Sequence, residues 1–173
     1  MKKQSAGLLV YRTKNGRLEV LIAHPGGPFF VKKDVGFWSI PKGLYDDSEN
    51  PLAAAKREFS EEIGLPPPDG RYLELGEIKR KDGKLIKVWA VEGEIDESKV
   101  ASNTFEIEWP PRSGKKQAFP EIDRALWADL KTAAQKLQFA QVEFLERLAK
   151  KHGVDFQAGA ATEDDKPQQN SLF

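Results

Sequence analysis

Residues 43–65 read GLYDDSENPLAAAKREFSEEIGL, and the fold turns on how this stretch is divided. Asn50 is a good helix N-cap, Pro51 suits the first helical position, and Gly64 is a natural stop. Leu52, Ala55, Phe59 and Ile63 recur at spacings of three, four and four, which makes one apolar stripe along the helix. Glu58, Glu61 and Glu62 fall together on a second face. Since successive residues turn by about 100°, that acidic face lies beside the stripe, at the rim of the buried side. Arg57, four residues before Glu61, is placed to pair with it.

Upstream, Ala6–Tyr11 and Leu18–Ala23 read as two strands, joined by a tight turn at Asn15-Gly16. A glycine- and proline-rich loop, HPGGPFFVKKDVG, follows, and Phe37–Ile40 is a short extended stretch closed by Pro41. Downstream, Leu73–Arg80 and Leu85–Val91 are strands turning at Asp82-Gly83, and Thr104–Trp109 is a further strand. WPPRSGKKQAFP reads as a long polar loop. Ala125–Trp127 is a short strand or the approach to a helical region from Lys131 to Lys151, broken near Gln138 and stopped at Gly153. Residues 1–153 are expected to form one domain, and residues 154–173, polar and poor in large apolar groups, a disordered tail.

Composition narrows the function classes. The 173 residues carry 27 Lys+Arg and 27 Asp+Glu, so no excess of positive charge suits a coat for nucleic acid, and no stable nucleic-acid partner is expected. The absence of cysteine removes disulfides, thiolate metal sites and cysteine nucleophiles. No apolar run approaches a membrane span, and MKKQSAGLLVYR does not read as a secretory signal, so a cytoplasmic protein with no membrane partner is the expectation. Oligomeric state is not legible.

Three neighbouring carboxylates are costly: like charges about 5 Å apart repel by roughly 3 kcal/mol per pair at an effective dielectric of 20. A hard divalent cation reverses that sign, and oxygen-only ligands suit Mg²⁺, with Mn²⁺ as a substitute. Mg²⁺ also recruits phosphate oxygens, so a nucleotide-type, phosphate-bearing small molecule is the natural substrate. The plain alternative is a solvated acidic face.

The wider pattern Gly43, Glu49, Arg57-Glu58, Phe59, Glu61-Glu62, Gly64 and Leu65 resembles the box of the Nudix hydrolase family at every position. The resemblance implies an α/β fold, an α/β/α sandwich with a mixed β-sheet, and cleavage of a diphosphate linked to another moiety. It implies metal binding by Glu58, Glu61, Glu62 and the carbonyl of Lys42, with Glu58 or Glu61 as general base. Arg57 belongs with them in the catalytic set and, with Glu49, braces the loop and orients the glutamates. Many members add a late acidic ligand, for which Glu121 and Asp123 are the candidates.

Trp38-Ser39-Ile40-Pro41-Lys42-Gly43 looks like the segment before the box in Nudix enzymes acting on diadenosine polyphosphates or diphosphoinositol phosphates. The leading substrates are therefore a dinucleoside polyphosphate or a nucleoside triphosphate; ADP-ribose and diphosphoinositol phosphates are alternatives. Lys42, Arg112 and Lys115 are candidate phosphate contacts and Trp38 a candidate base contact, against the plain readings of solvated charge and core ring. His24 reads as a packed or surface histidine, with phosphate binding or catalysis as its functional alternative. A catalytically silent nucleotide-binding or regulatory module on the same scaffold is the competing class. The complete carboxylate set argues against it, and the missing cysteine argues against isopentenyl diphosphate isomerisation.

Overall fold

The computed structural model describes residues 3–159. The longest run of extended chain is β1 (Gln4–Lys14), which turns back at Asn15 and Gly16, both at positive φ, into β2 (Arg17–Pro25). Apolar side chains along β1 go alternately to the two sides of the sheet. Ala6, Leu8 and Val10 join one core, Leu9 and Tyr11 the other, as a strand covered on both faces requires.

β3 (Lys42–Tyr45) pairs antiparallel with the first residues of β1, Gln4–Gly7, while β2 pairs with its end. β5 (Leu85–Glu92) runs parallel to β1 along its other edge, with β4 (Leu73–Lys79) antiparallel outside it. β8 (Ile122–Asp129) completes the far edge against β2. The sheet is thus mixed and six-stranded, ordered β4-β5-β1-β2-β8 with β3 beside β1.

The helix α1 (Pro51–Ile63) covers one face. Asn50 caps it by accepting from Ala53 N–H, Pro51 opens it, and Gly64 ends it at φ 76°. A Cβ at Gly64 would stand 2.1 Å from the Ala101 carbonyl oxygen, so space as well as conformation selects glycine. Ala55, Phe59 and Ile63 are buried as the stripe predicts; Ala54 joins them, and Leu52 is only partly covered. The opposite face is covered by α2 (Leu130–Lys136) and α3 (Val142–Lys151), separated by a short 3₁₀ turn at Phe139–Gln141, where a break was expected. The architecture is an α/β/α sandwich.

Two expectations are corrected. The segment after Trp109 is not a loop throughout: β7 (Lys116–Pro120) pairs with β6 (Thr104–Glu108) as a separate two-stranded arm. Packing also continues beyond Gly153. Phe156 and Ala158 are partly buried against the core, and the Ala158 N–H donates to Glu146, so the chain is docked as far as residue 158. Residues 160–173 lie outside the described residues.

Candidate active site

The box residues meet at the end of the sheet where β1 begins, because β3 carries Lys42 and Gly43 there and α1 packs across it. Gly43 lies so close to Glu58 that a Cβ on it would stand 1.9 Å from the carboxylate. The glycine is what lets helix and strand approach. Arg57 is the hub. Its Nε and Nη2 each donate to one oxygen of Glu49 at 2.8 Å, a bidentate pair. Its Nη1 donates to Glu58 at 2.8 Å and, at 3.3 and 3.4 Å, to both oxygens of Glu61. Glu49 and Arg57 therefore brace loop to helix.

The three helix glutamates occupy different surroundings. Glu61 is the most open, its side chain 40% exposed. Glu58 is more enclosed, and burial pushes its carboxyl up, opposed by the Arg57 hydrogen bond and reinforced by the charges of Glu61 and Glu121. Glu62 accepts from the Lys42 backbone N–H at 3.2 Å. Burial pushes its carboxyl up to about 8, only partly offset by the charge of Lys42. Burial likewise holds the Lys42 ammonium below the usual lysine range, with Glu62 acting against the shift.

Glu121, immediately before β8, completes the group. Partial burial and then the charge of Glu61 raise its carboxyl, and its own charge acts on Glu58 and Glu62. Backbone hydrogen bonds fix its place: Gly26 N–H donates to the Glu121 carbonyl at 2.8 Å, and Glu121 N–H to the Asn103 carbonyl at 2.9 Å. Asn103 N–H in turn donates to the Glu61 carbonyl at 3.0 Å. Of the two late acids, Glu121 is the one turned toward the box. Asp123 instead sits 2.8 Å from His24 Nδ1 and 3.7 Å from Arg124.

Among the described residues, no three acidic or imidazole groups stand in ion-binding geometry as the side chains lie. The donor set nevertheless fits a hard cation: oxygens only, a glycine cradle at Glu58, and an enclosed carboxyl at Glu62 whose ionisation a cation would favour.

Other candidates lie elsewhere. The Trp38 ring is 3% exposed and belongs to the core on the α2–α3 side, away from α1. Its Nε1 donates to Asp34 at 2.7 Å, and Arg124 and Lys136 lie over the ring. Trp38 is therefore a packed ring and not an open platform for a base. Arg112 and Lys115 are exposed in the turn of the β6–β7 arm, about 17 Å of strand rise or more from Pro120 at its base, and are not among the groups that contact the box glutamates. His24 is fully buried with both ring nitrogens engaged, Nδ1 by Asp123 and Nε2 by the Lys33 carbonyl at 2.6 Å, which is the packed reading.

One positioning residue escaped the sequence reading. Gln141, fully buried, accepts from Ile40 N–H at 2.8 Å and donates to Ser39 Oγ at 3.0 Å, fixing the chain just before Pro41-Lys42-Gly43. A lone glutamine between two helical runs carries no sequence signal of that role.

The chain is similar to known proteins in sequence and in fold. Over 73 residues, 42% of the chain, it is 33% identical to a CMP-5'-(N-acetyl-N-hydroxy-3-aminopropyl)phosphonate hydrolase of Streptomyces rubellomurinus, a match spanning only a third of that protein. It is 27% identical to the RNA pyrophosphohydrolase of Bartonella henselae over 155 residues, covering 75% of the chain and 78% of the relative. The solved structure of a C. elegans Ap4A hydrolase binary complex superposes with a TM-score of 0.60 at 21% identity, covering 86% of this chain and 98% of that one, which shows a shared fold. The family model of the NUDIX domain matches residues 1–148, and the chain accordingly belongs to that family and carries a Nudix hydrolase domain.

Proposed function

We propose that the protein is a Mg²⁺-dependent pyrophosphohydrolase that cleaves a diphosphate linkage in a nucleoside diphosphate derivative, a dinucleoside polyphosphate or a nucleoside triphosphate. The observation that carries this reading is the convergence of Glu58, Glu61, Glu62 and Glu121 at one end of the sheet, from a helix and from the junction of β7 and β8 that Asn103 ties to Glu61. Such crowding of like charge has no structural benefit that uncharged residues would not supply better. Relatives named as an RNA pyrophosphohydrolase and as a hydrolase of a CMP-linked phosphonate support the reaction class.

Glu58, Glu62, Glu121 and the Lys42 carbonyl would hold the metal, with Mn²⁺ able to replace Mg²⁺. When bound, the metal neutralises diphosphate oxygens and lowers the pKa of a coordinated water. Glu61 is the general base: it is the most exposed of the helix glutamates, and its long contacts to Arg57 leave lone pairs for a water proton. Arg57 keeps Glu58 and Glu61 aimed into the site through its anchor on Glu49.

The test is product release from a panel of nucleoside triphosphates, diadenosine polyphosphates, ADP-ribose and diphosphoinositol phosphates, with Mg²⁺ or with EDTA. Turnover should require the metal, and Glu61→Gln should lower it by about 10²–10⁴ with an unchanged circular dichroism spectrum. Wild-type turnover by Glu61→Gln would overturn the base assignment; turnover undiminished in EDTA would overturn the metal.

A further inference from the structure

The chain that enters the box is held from the α2–α3 side of the sheet. Trp38 is stitched to the junction of those helices by two backbone bonds: its N–H donates to the Lys136 carbonyl at 3.0 Å, and its carbonyl accepts from Gln138 N–H at 2.9 Å. Two residues on, Gln141 takes over with its side chain. Its Oε1 accepts from Ile40 N–H at 2.8 Å, its Nε2 donates to Ser39 Oγ at 3.0 Å, and that hydroxyl donates to the Ile40 carbonyl at 2.8 Å. Both polar groups of the Ile40 backbone are thus closed into one ring of hydrogen bonds, which needs the paired acceptor and donor of an amide. Gln141 is fully buried, where an apolar side chain would fill the core at no polar cost, so the ring and not packing accounts for a glutamine there.

That restraint passes along the chain to Lys42. Pro41 follows Ile40 with its φ locked at about −65°, which removes one soft dihedral between the ring and the box. The Pro41 carbonyl accepts from Leu8 N–H at 3.1 Å. Bonded and non-bonded pairs alternate along an antiparallel ladder, so the next pair, Gly7 with Lys42, is non-bonded, and both polar groups of the Lys42 backbone turn away from β1. Lys42 N–H goes to Glu62 at 3.2 Å. The Lys42 carbonyl therefore leaves the strand on the side of that carboxylate, and its aim is set by the peptide planes before it.

We propose that Gln141 is a positioning residue for the metal: by fixing Ile40 it sets the aim of the Lys42 carbonyl, and with it the affinity of the box for a divalent cation. The inference rests on the metal reading of the box. Without the ring, the carbonyl must be ordered at the moment the cation binds, which lowers affinity without removing a ligand. The break between α2 and α3 thereby acquires a task, since the 3₁₀ turn Phe139–Gln141 brings this side chain to Ile40. A helix junction on one face of the sheet tunes a site whose glutamates come from the other.

Calorimetric titration of Mn²⁺ without substrate, well below the melting temperature of each protein, is the test. Gln141→Met keeps the volume and removes the amide, and should bind Mn²⁺ about 10–100-fold more weakly than wild type. Ser39→Ala opens the ring at one link and should weaken binding by about threefold or more; should Gln141→Met not fold, this milder variant decides alone. Leu148→Ala thins the same core away from the ring, and should bind within about twofold of wild type although it melts earlier. At saturating Mg²⁺, turnover by Gln141→Met should return to within about threefold of wild type, because the ligands themselves are intact. Mn²⁺ binding unchanged by opening the ring, an equal loss in Leu148→Ala, or turnover that stays low at saturation would each overturn the positioning role. No Mn²⁺ uptake by wild type would instead overturn the metal reading of the box, and the inference with it.

Discussion

Gly43 is the smallest residue of the site and the least replaceable. A methyl there would occupy the position of the Glu58 carboxylate, and only the flexible side chain can yield. Gly43→Ala should therefore cost about 10²-fold or more in kcat by swinging Glu58 out, with little change in melting temperature. Arg57→Lys should lower activity by about 10–100-fold, because a single ammonium cannot replace the fork that holds Glu49 while reaching Glu58 and Glu61. Both effects are read from steady-state rates beside thermal melts. At this scale the box was legible, since its helical spacing fixes which residues share a face. The late acid was not. Glu121 and Asp123 differ in direction because the β2–β8 register shifts between His24 and Pro25, and such a bulge leaves no trace in the order of residues. For Trp38 the sequence left base contact and core ring both open, and only its burial separates them.

Helices announced their ends more clearly than strands. Asn50, Pro51 and Gly64 mark α1 by local chemistry, and Asp129 marks α2 by accepting from Thr132 N–H at 2.7 Å. The hydrogen bond from Thr132 N–H holds the Asp129 carboxyl below the usual aspartate range. A carboxyl depressed on folding adds stability that is present above its unfolded pKa, near 4, and is lost as pH falls through the lower folded value. Asp129→Ala should accordingly cost about 1 kcal/mol at pH 7. Its difference from wild type should shrink below about pH 4 and vanish once Asp129 is protonated in both states, followed by melting temperature against pH. The two elements that were missed have no such local marks. β3 is four residues including the box glycine, and becomes a strand only because β1 has an open edge beside it. β7 begins with Lys116 and Gln117 on an exposed arm, so it lacks the alternation that burial of one face imposes.

At the scale of the molecule, one sheet serves two cores. Phe59 from α1 fills one and Phe144 from α3 the other, each fully buried. Cutting either back to alanine should cost about 3–5 kcal/mol, a large share of a typical domain's total. Because β1 contributes side chains to both cores, urea unfolding of Phe144→Ala should remain a single transition by fluorescence and by circular dichroism, with a lower midpoint. No helix among the described residues is long and apolar enough to cross a membrane. The two-sided burial was foreseeable from the unbroken apolar runs of β1 and β2, which a sheet open to water on one face does not tolerate.

The stitching of Asn103 to Glu121 has a further consequence. Everything between those two residues is an arm whose root is fastened to the end of α1 and whose Phe105 and Trp109 rest against the loop after β2 at Gly27 and Phe29. The arm can be shortened, extended or exchanged without unseating the acid at its base. Hairpin and acid are thereby housed in separable parts of the chain, and a foreign hairpin grafted onto this root should leave Glu121 in place.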